Sequence, residues 1–191
     1  MFINPGLITV FHGCDKSVRD KIVSSEIEHI RHSKADWEWL GAGQYFWENS
    51  YEMALDWAQY IKRHPMPNSR NPILEPSVIG AIVDLKNCLD FLDVKHLQLL
   101  KTSYNIIKDS PTLPKNSLTN PAVRKLDYYV IENIHRYIES DGLPQFDSVR
   151  SVFVEGELTY PTAGFKDKNH IQICIRNSDC IKGYFIPRLE E

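Results

Sequence analysis

The order of strand and helix patterns along the chain constrains its fold more than any other feature of the sequence. Runs rich in β-branched and aromatic residues lie at 7–13, 44–47 and 77–85, and apolar residues with helical spacing lie between them, at 15–33 and 51–64. Two more helical patterns then follow each other directly, and three strand patterns end the chain: the helices lie at 89–109 and 123–139, the strands at 148–158, 170–176 and 181–187. This order predicts an α+β fold in which late strands complete sheets that early strands begin.

The composition is that of an ordinary globular protein. The chain has 191 residues, of which 42% are hydrophobic and 25% charged, so it is long enough for one well-buried core. We expect a single domain over residues 1–191, with a helical insertion at approximately 89–140. The net charge of −3 argues against a protein that coats nucleic acid or an anionic membrane. A local basic patch can still bind a single strand.

No targeting or membrane signal is visible in the sequence. No run approaches the roughly 20 apolar residues of a membrane span, and "MFINPGLITVF" lacks the basic start and the small-residue cleavage site of a signal peptide. We therefore expect a cytoplasmic protein with no membrane partner. The four cysteines show no CxxC spacing, and His29 and His32 have no third ligand in a motif, so we also expect no metal.

Three motifs carry a resemblance to a known superfamily. A strand ends in His12 and Gly13 in "VFHG"; a Gly-x-Gly-x-Tyr-Phe strand feeds a helix in "GAGQYFWENSYEMALDWA"; and "HIQICIRNSDCIKGYF" ends the chain as a strand pair. In this order, from residue 10 to 185, the sequence resembles ADP-ribosyltransferases of the diphtheria-toxin and poly(ADP-ribose) polymerase type. The resemblance implies two packed, mainly antiparallel β-sheets that form an NAD cleft, with flanking helices.

The resemblance also implies which residues bind NAD as the co-substrate. The expected set is His12, Gly13, Cys14, Gly43, Tyr45, Phe46 and Trp57. Nicotinamide is a flat ring with a carboxamide, so its pocket needs a backbone donor, a backbone acceptor and aromatic faces. Gly13 allows close backbone approach, Tyr45 and Trp57 supply aromatic faces, and His12 hydrogen-bonds a ribose hydroxyl. Strand alternation directs Tyr45 to the pocket and Phe46 to the core, and returns Trp47 to the side of Tyr45.

The position of the family's catalytic glutamate differs in this chain. In the family that Glu holds the ribose 2′-hydroxyl and stabilises the positive charge that develops on the ribose. Here Gln172, or alternatively His170, stands at the position, and period-two alternation puts both on one face of the strand. A Gln holds the hydroxyl but supplies no negative charge, so Glu155 and Glu157 are the alternative carboxylates. The catalytic candidates are His12, Tyr45, Gln172, His170 and Glu157.

The segment "TYPTAGFKDKN", residues 159–169, occupies the family's target-recognition position. Phe165, Lys166 and Lys168 are the candidate recognition residues, because an aromatic ring with two lysines can stack on a nucleobase or steer an acidic surface.

The resemblance implies an NAD-dependent mono-ADP-ribosyltransferase, a toxin-like bacterial or phage-conflict enzyme that releases nicotinamide and modifies a protein or a nucleic acid. Small members of such families are often toxins held by an antitoxin protein, which is a possible partner in phage defence. Two alternatives stay open. One is a catalytically inactive module that binds NAD or ADP-ribose, and the other is an NAD-dependent RNA 2′-phosphotransferase.

Overall fold

The computed structural model describes residues 6–65, 72–120 and 123–188 and has the predicted α+β fold. The chain order of its elements is β1 (Ile8–Asp15), α1 (Lys16–Val23), β2 (Gln44–Glu48), α2 (Tyr51–Arg63), β3 (Pro76–Val83), β4 (Cys88–Asp90), α3 (Val94–Ile107), α4 (Lys125–Ser140), β5 (Ser148–Phe153), β6 (His170–Ile175) and β7 (Ile181–Phe185). None of the helices in these described ranges has the length and apolar character needed to cross a membrane.

The strands form one seven-stranded sheet, in the order β4-β5-β6-β2-β1-β3-β7. The sheet is mainly antiparallel, as predicted, and β4 with β5 is its parallel pair. The prediction of two packed sheets is wrong, because β1 and β2 are hydrogen bonded and join the two halves. That joint is short. Its register holds Val10 against Glu48 and Phe11 against Trp47, whereas β3 pairs with β1 along the whole of β1.

Two helical layers cover one side of this sheet. Helix α2 packs against β1 and β3, where Ala54 forms a cluster with Trp47 and Val78. Helix α4 packs against β5 and β6, and its Ile131 and Ile134 share a cluster with Tyr45. Because Tyr45 and Trp47 are two residues apart on β2, their side chains lie on the same side of the sheet. Helices α2 and α4 therefore lie on either side of the part of the sheet formed by β2 and β6, which we call the groove.

The other side of the sheet carries the largest core. Val10, Phe46 and Ile173 are fully buried there, beneath Ile22 of α1 and Ile30 of the segment after it. Phe46 thus lies in the core, as strand alternation predicts. Helix α1 is shorter than the predicted helix at 15–33.

Helix α1 ends at Val23 because the residues after it leave helical geometry. Asp15 caps its start by accepting a hydrogen bond from the backbone N–H of Ser17. At the other end Ser25 has a left-handed conformation with φ of 62°, which terminates the helix. His29 and His32 consequently do not share a helix face.

The predicted helix at 89–109 begins five residues late, at Val94. Leu89 and Asp90 belong instead to β4, which pairs in parallel with β5. Asp93 then caps α3 by accepting from the N–H of Lys95 at 2.8 Å. Ser103 joins the two insertion helices, since its hydroxyl donates to the carbonyl oxygen of Val130 at 2.8 Å.

A buried ion triad ties three strands together on the core side. The Arg150 guanidinium contacts Glu48 of β2 at 2.6 Å and Asp90 of β4 at 2.9 Å. All three side chains are at least 87% buried, since their exposures are 13%, 13% and 8%. Such a triad fixes the register of the strands that it joins, because removing one member leaves an uncompensated buried charge.

Candidate functional site

The sheet opens between β1 and β2 immediately after their short joint. The Nδ1 atom of His12 lies 2.7 Å from the carbonyl oxygen of Tyr45. A carbonyl oxygen only accepts hydrogen bonds, so Nδ1 is the donor and Nε2 is left as an acceptor in the neutral ring. Tyr45 would pair with Gly13 if the antiparallel register continued beyond Phe11 and Trp47. The imidazole therefore takes the place of a backbone partner, and the two strands separate around it.

Gly13 presents its backbone edge to this opening. Thr9 accepts a hydrogen bond from the N–H of Asn49 at 3.1 Å, so the backbone groups of Thr9 point toward β2. Alternate residues of a strand direct their N–H and C=O groups to the same side, and Gly13 is four residues after Thr9. The donor and acceptor of Gly13 therefore face the opening, as a site for a carboxamide requires.

Packing against α2 requires a glycine at position 13. A Cβ atom at position 13 would overlap the carbonyl oxygen of Ala54 in α2. Close contact between β1 and α2 thus excludes every side chain at this position, whatever ligand binds at the backbone edge.

Burial keeps the His12 ring uncharged at neutral pH. It lowers the pKa of His12 from its usual 6.5 to about 4, although the hydrogen bond to Tyr45 acts in the opposite direction. A neutral ring with its proton on Nδ1 offers Nε2 to a hydroxyl donor. His12 can therefore accept a hydrogen bond from a ribose hydroxyl, which is the role predicted from the sequence.

Aromatic rings surround His12 on both sides. Its centroid lies 5.9 Å from that of Phe46 and 6.2 Å from that of Trp57, and Trp57 lies 5.9 Å from Trp47. Phe46 is fully buried, so it supports the imidazole from the core and has no surface for NAD. Trp57 is 36% exposed. Of the rings near His12, Trp57 is the one that offers a face to a ligand.

The hydroxyl of Tyr45 is already used within the protein. It donates to the carbonyl oxygen of Gly41 at 2.7 Å and accepts from the N–H of Leu40 at 3.1 Å. Burial raises the pKa of Tyr45 well above its usual value. Tyr45 therefore fixes the loop that leads into β2, and its predicted catalytic role has no free hydroxyl to act through.

Besides Phe46, two more residues that the sequence predicts to bind NAD lie away from the opening. The backbone N–H and C=O of Gly43 both pair with Ser33, at 3.0 and 2.7 Å, and a Cβ atom there would overlap the thiol of Cys174. Gly43 is thus a packing glycine beside β6. The Cys14 side chain lies in the core beneath α1, where burial raises its pKa to about 12. Neither residue has a group to offer in the opening.

Gln172 lies on the groove floor between two unsatisfied polar atoms. It pairs with Trp47 of β2 on one side and with Ser151 of β5 on the other. Trp47 Nε1 is buried, and so is Nε2 of His170, which is two residues earlier on the same face; neither has a partner within the described ranges. Buried polar atoms are nearly always hydrogen bonded, and within the described ranges Gln172 is the polar side chain next to both of these atoms along the sheet.

His170 is held tightly and away from the groove centre. Its Nδ1 donates to the carbonyl oxygen of Lys168 at 2.7 Å, and its ring stacks on Phe153 with centroids 5.6 Å apart. His170 is 7% exposed, whereas Gln172 is half-buried. Of the two residues predicted at the glutamate position, Gln172 is the more accessible.

The predicted recognition loop reaches from β6 toward α2. Lys168 forms an ion pair with Asp56, next to Trp57, at 2.7 Å. This pair occupies Lys168, so the lysine is not free to contact an acceptor while the pair is intact. Phe165 is 66% exposed, and Lys166 bridges Leu158 through its backbone. Phe165 is thus exposed enough to contact an acceptor, and Lys166 lies beside it on the same loop.

Glu157 lies just before that loop and not in a strand. Strand β5 ends at Phe153, before Glu155 and Glu157, so the predicted strand at 148–158 is too long. The N–H of Glu157 bonds to the carboxylate of Asp167 at 2.8 Å, and its side chain is exposed. Among the residues described, no hydrogen bond or ion pair holds the Glu157 carboxylate beside Gln172.

The sequence did not mark Trp47 and Ser151 as site residues. Strand alternation shows only that Trp47 lies on the same face of β2 as Tyr45. Its cross-strand neighbour Gln172 belongs to a strand 125 positions later in the chain. Glu132 and Arg176 are also far apart in the sequence, and they contact each other at 2.6 Å. Glu132 accepts a hydrogen bond from the N–H of Ala42 and Arg176 donates one to its C=O, so the pair fixes the loop that contains Gly41 and Gly43. Within the residues described, no three His, Cys, Asp or Glu side chains form a cluster suited to a metal ion. That the protein binds no metal is still a prediction.

One relative has a sequence similar to almost the whole chain. This protein of Methanocaldococcus jannaschii, described as uncharacterized, is 26% identical to the chain, and the alignment covers 92% of this chain and 85% of the relative. No family model matches the chain, and no solved structure matches it significantly.

Proposed function

We propose that the protein is an NAD-dependent mono-ADP-ribosyltransferase that releases nicotinamide and transfers ADP-ribose to a protein or a nucleic acid. The observation that carries the proposal is the opening between β1 and β2. There the His12 imidazole replaces a backbone partner at 2.7 Å from Tyr45, and the backbone edge of Gly13 is left facing the gap.

Three groups at the opening fit the parts of NAD. The N–H and C=O of Gly13 match the C=O and NH₂ of the nicotinamide carboxamide, because a strand edge presents a donor and an acceptor side by side. The exposed face of Trp57 suits stacking on a flat ring. Nε2 of neutral His12 suits a ribose hydroxyl. Together these contacts bind a bent dinucleotide at the end of the groove.

Gln172 is the residue placed to act on the reacting ribose. In the transfer, the bond between the ribose C1′ and the nicotinamide nitrogen breaks, and nicotinamide leaves with the bonding electrons. A nucleophilic oxygen or nitrogen of the acceptor forms a new bond to C1′ and gives its proton to solvent. The amide oxygen of Gln172 holds the 2′-hydroxyl during this change, while the positive charge on the ribose is stabilised less than by a carboxylate. Addition of one ADP-ribose, not of chains, is what the resemblance implies, because relatives that lack this Glu typically transfer a single ADP-ribose.

The same Gln favours one alternative. Without a carboxylate, a module that binds NAD or ADP-ribose but releases no nicotinamide is the second candidate function. An RNA 2′-phosphotransferase needs free arginines around a phosphate, whereas Arg150 and Arg176 are both paired with carboxylates. We rank it third. A toxin-like role in the cytoplasm, held by an antitoxin protein and active in phage defence, rests on the sequence resemblance.

Transfer from labelled NAD tests the proposal. Pure protein is incubated with adenine-labelled NAD and whole-cell extract, and the products are divided into nuclease-treated and protease-treated halves. We expect label in a macromolecular fraction, lost with His12→Ala and kept with His64→Ala, which changes an exposed histidine directly after α2. NAD binding without label or free nicotinamide would instead identify the binding module.

A further inference from the structure

A cavity of about 360 Å³ lies between α3, α4 and the sheet. Four aromatic side chains contribute to its wall, namely Trp39, Phe91, Tyr104 and Phe153. Ser151 also lines it, and Ser151 is the cross-strand neighbour of Gln172. The cavity therefore lies next to the residue that we propose to act on the ribose.

The strand order separates this cavity from the NAD opening. His12 lies at the gap between β1 and β2, Gln172 is on β6, and Ser151 is on β5, the next strand. Neighbouring strands are about 4.8 Å apart, so the three positions follow one another across the sheet. A dinucleotide bound at His12 with its reacting ribose at Gln172 leaves the cavity on the far side of that ribose. This is the side from which an acceptor can approach.

The mouth of the cavity carries free positive charge beside an aromatic ring. Leu97, Lys101, Tyr104 and Lys108 follow at helical spacing, and the first three of them line the cavity. Tyr104 is 41% exposed between the two lysines. Within the described parts of the chain, neither lysine side chain has an ion-pair or hydrogen-bond partner, and α3 contains no acidic residue. A ring between two free ammonium groups suits a stacked base with phosphates on either side.

Asp127 distinguishes a base from an acidic side chain. Its carboxylate lines the cavity and is held by Asn116 at 2.9 Å and by Arg124 at 3.4 Å. Arg124 in turn lies 4.8 Å from the ring centroid of Trp39. A fixed carboxylate accepts hydrogen bonds from the amino group of a base, but it repels the carboxylate of an acidic peptide.

We propose that this cavity receives an unpaired base of a single-stranded nucleic acid, with Lys101 and Lys108 on the adjacent phosphates. That the strand is the acceptor of ADP-ribose rests on the proposed function. Binding of the strand does not, because the cavity and the NAD opening lie on different strands of the sheet. The acceptor class is thus a nucleic acid and not a protein.

Fluorescence anisotropy with labelled RNA and DNA 12-mers, in the absence of NAD, tests the proposal. We expect saturable binding of single strands that weakens about tenfold or more with Tyr104→Ala and with Lys101→Glu. Two variants at exposed positions away from the cavity serve as controls, Tyr137→Ala on α4 and Lys62→Glu on α2. Circular dichroism establishes that all four variants are folded.

Four results would overturn the proposal. They are no binding of any 12-mer, equal binding by the cavity and control variants, equal binding of duplexes, and equal affinity for free nucleoside monophosphates. Transfer of label to protein alone in the extract assay would also overturn it. Strand binding without nicotinamide release would refute only the proposed enzymatic function.

Discussion

The His12 ring donates its Nδ1 proton to the carbonyl oxygen of Tyr45 across 2.7 Å, in a position where the sheet would otherwise place Gly13 against Tyr45. The imidazole thus lies in the opening that forms where the pairing of β1 with β2 ends, within one continuous sheet. The opening has a backbone donor and acceptor on one edge and an exposed tryptophan face beside it.

Acid should weaken the fold through buried histidines. Burial lowers the pKa of His12 and of His135 to about 4, whereas an unfolded histidine titrates near 6.5. Between these values the unfolded chain binds more protons, so the free energy of unfolding falls as the pH falls, by up to about 1.4 kcal/mol per pH unit for each histidine. Urea unfolding at pH 7, 6, 5 and 4.5 measures the slope. His12→Gln should reduce this slope by up to about 1.4 kcal/mol per pH unit, which is the contribution of one proton. An unchanged slope would contradict the burial of this ring.

Replacement of Gly13 by alanine should destabilise the fold strongly. The new Cβ atom would overlap the carbonyl oxygen of Ala54, and backbone cannot move as a flexible side chain can. We expect a loss of about 3 kcal/mol in the free energy of unfolding. Gly183→Ala in β7 is the matched control, because a Cβ atom there meets nothing within 4 Å. Denaturant titration of both variants is the measurement, and equal stability would refute close packing of β1 on α2.

Tyr45→Phe should affect stability and not the reaction. The change removes a hydroxyl that bonds both Gly41 and Leu40, and we expect a loss of about 1–2 kcal/mol. NAD affinity at a temperature where the variant is folded should stay within twofold of the wild type. Tyr60→Phe, at an exposed position of α2, is the control for both measurements. A large loss of turnover without loss of stability would return Tyr45 to the catalytic set.

Gln172→Glu should increase the release of nicotinamide. A carboxylate at the position of the amide supplies the negative charge that stabilises the developing positive ribose, and we expect an increase of about tenfold or more in the rate constant of NAD hydrolysis. Gln98→Glu makes the same chemical change at an exposed position of α3 and should leave the rate unchanged. A slower or equal rate in Gln172→Glu would place the reacting ribose elsewhere.

The sequence predicts those parts of the fold that depend on local periodicity. The α+β order and the inward orientation of Phe46 both follow from neighbouring residues, and the structure confirms them. The late start of α3 was not predictable, because Leu89 and Leu92 have the spacing of a helix face whereas Leu89 and Phe91 alternate as in a strand. Only pairing with β5 decides between the two.

The site was predictable in its residues more than in their roles. His12 lies beside Trp57, and Gln172 lies opposite Trp47 on the next strand, but Cys14 and Gly43 are next to the motif residues in sequence and not in the opening. Sequence cannot show that β1 and β2 separate after Phe11, since this depends on the register between distant strands. It also cannot show which polar atoms remain unsatisfied when those strands assemble.

Calorimetric titration of the purified protein with NAD is the most direct test of the opening as a nucleotide site. The arrangement of His12, Gly13 and Trp57 predicts saturable binding of one NAD per chain. Trp57→Ala and His12→Ala should each weaken it about tenfold or more, and Tyr60→Ala, at an exposed position of the same helix as Trp57, should not. No binding by the folded wild type, or equal affinity in Trp57→Ala and Tyr60→Ala, would contradict it.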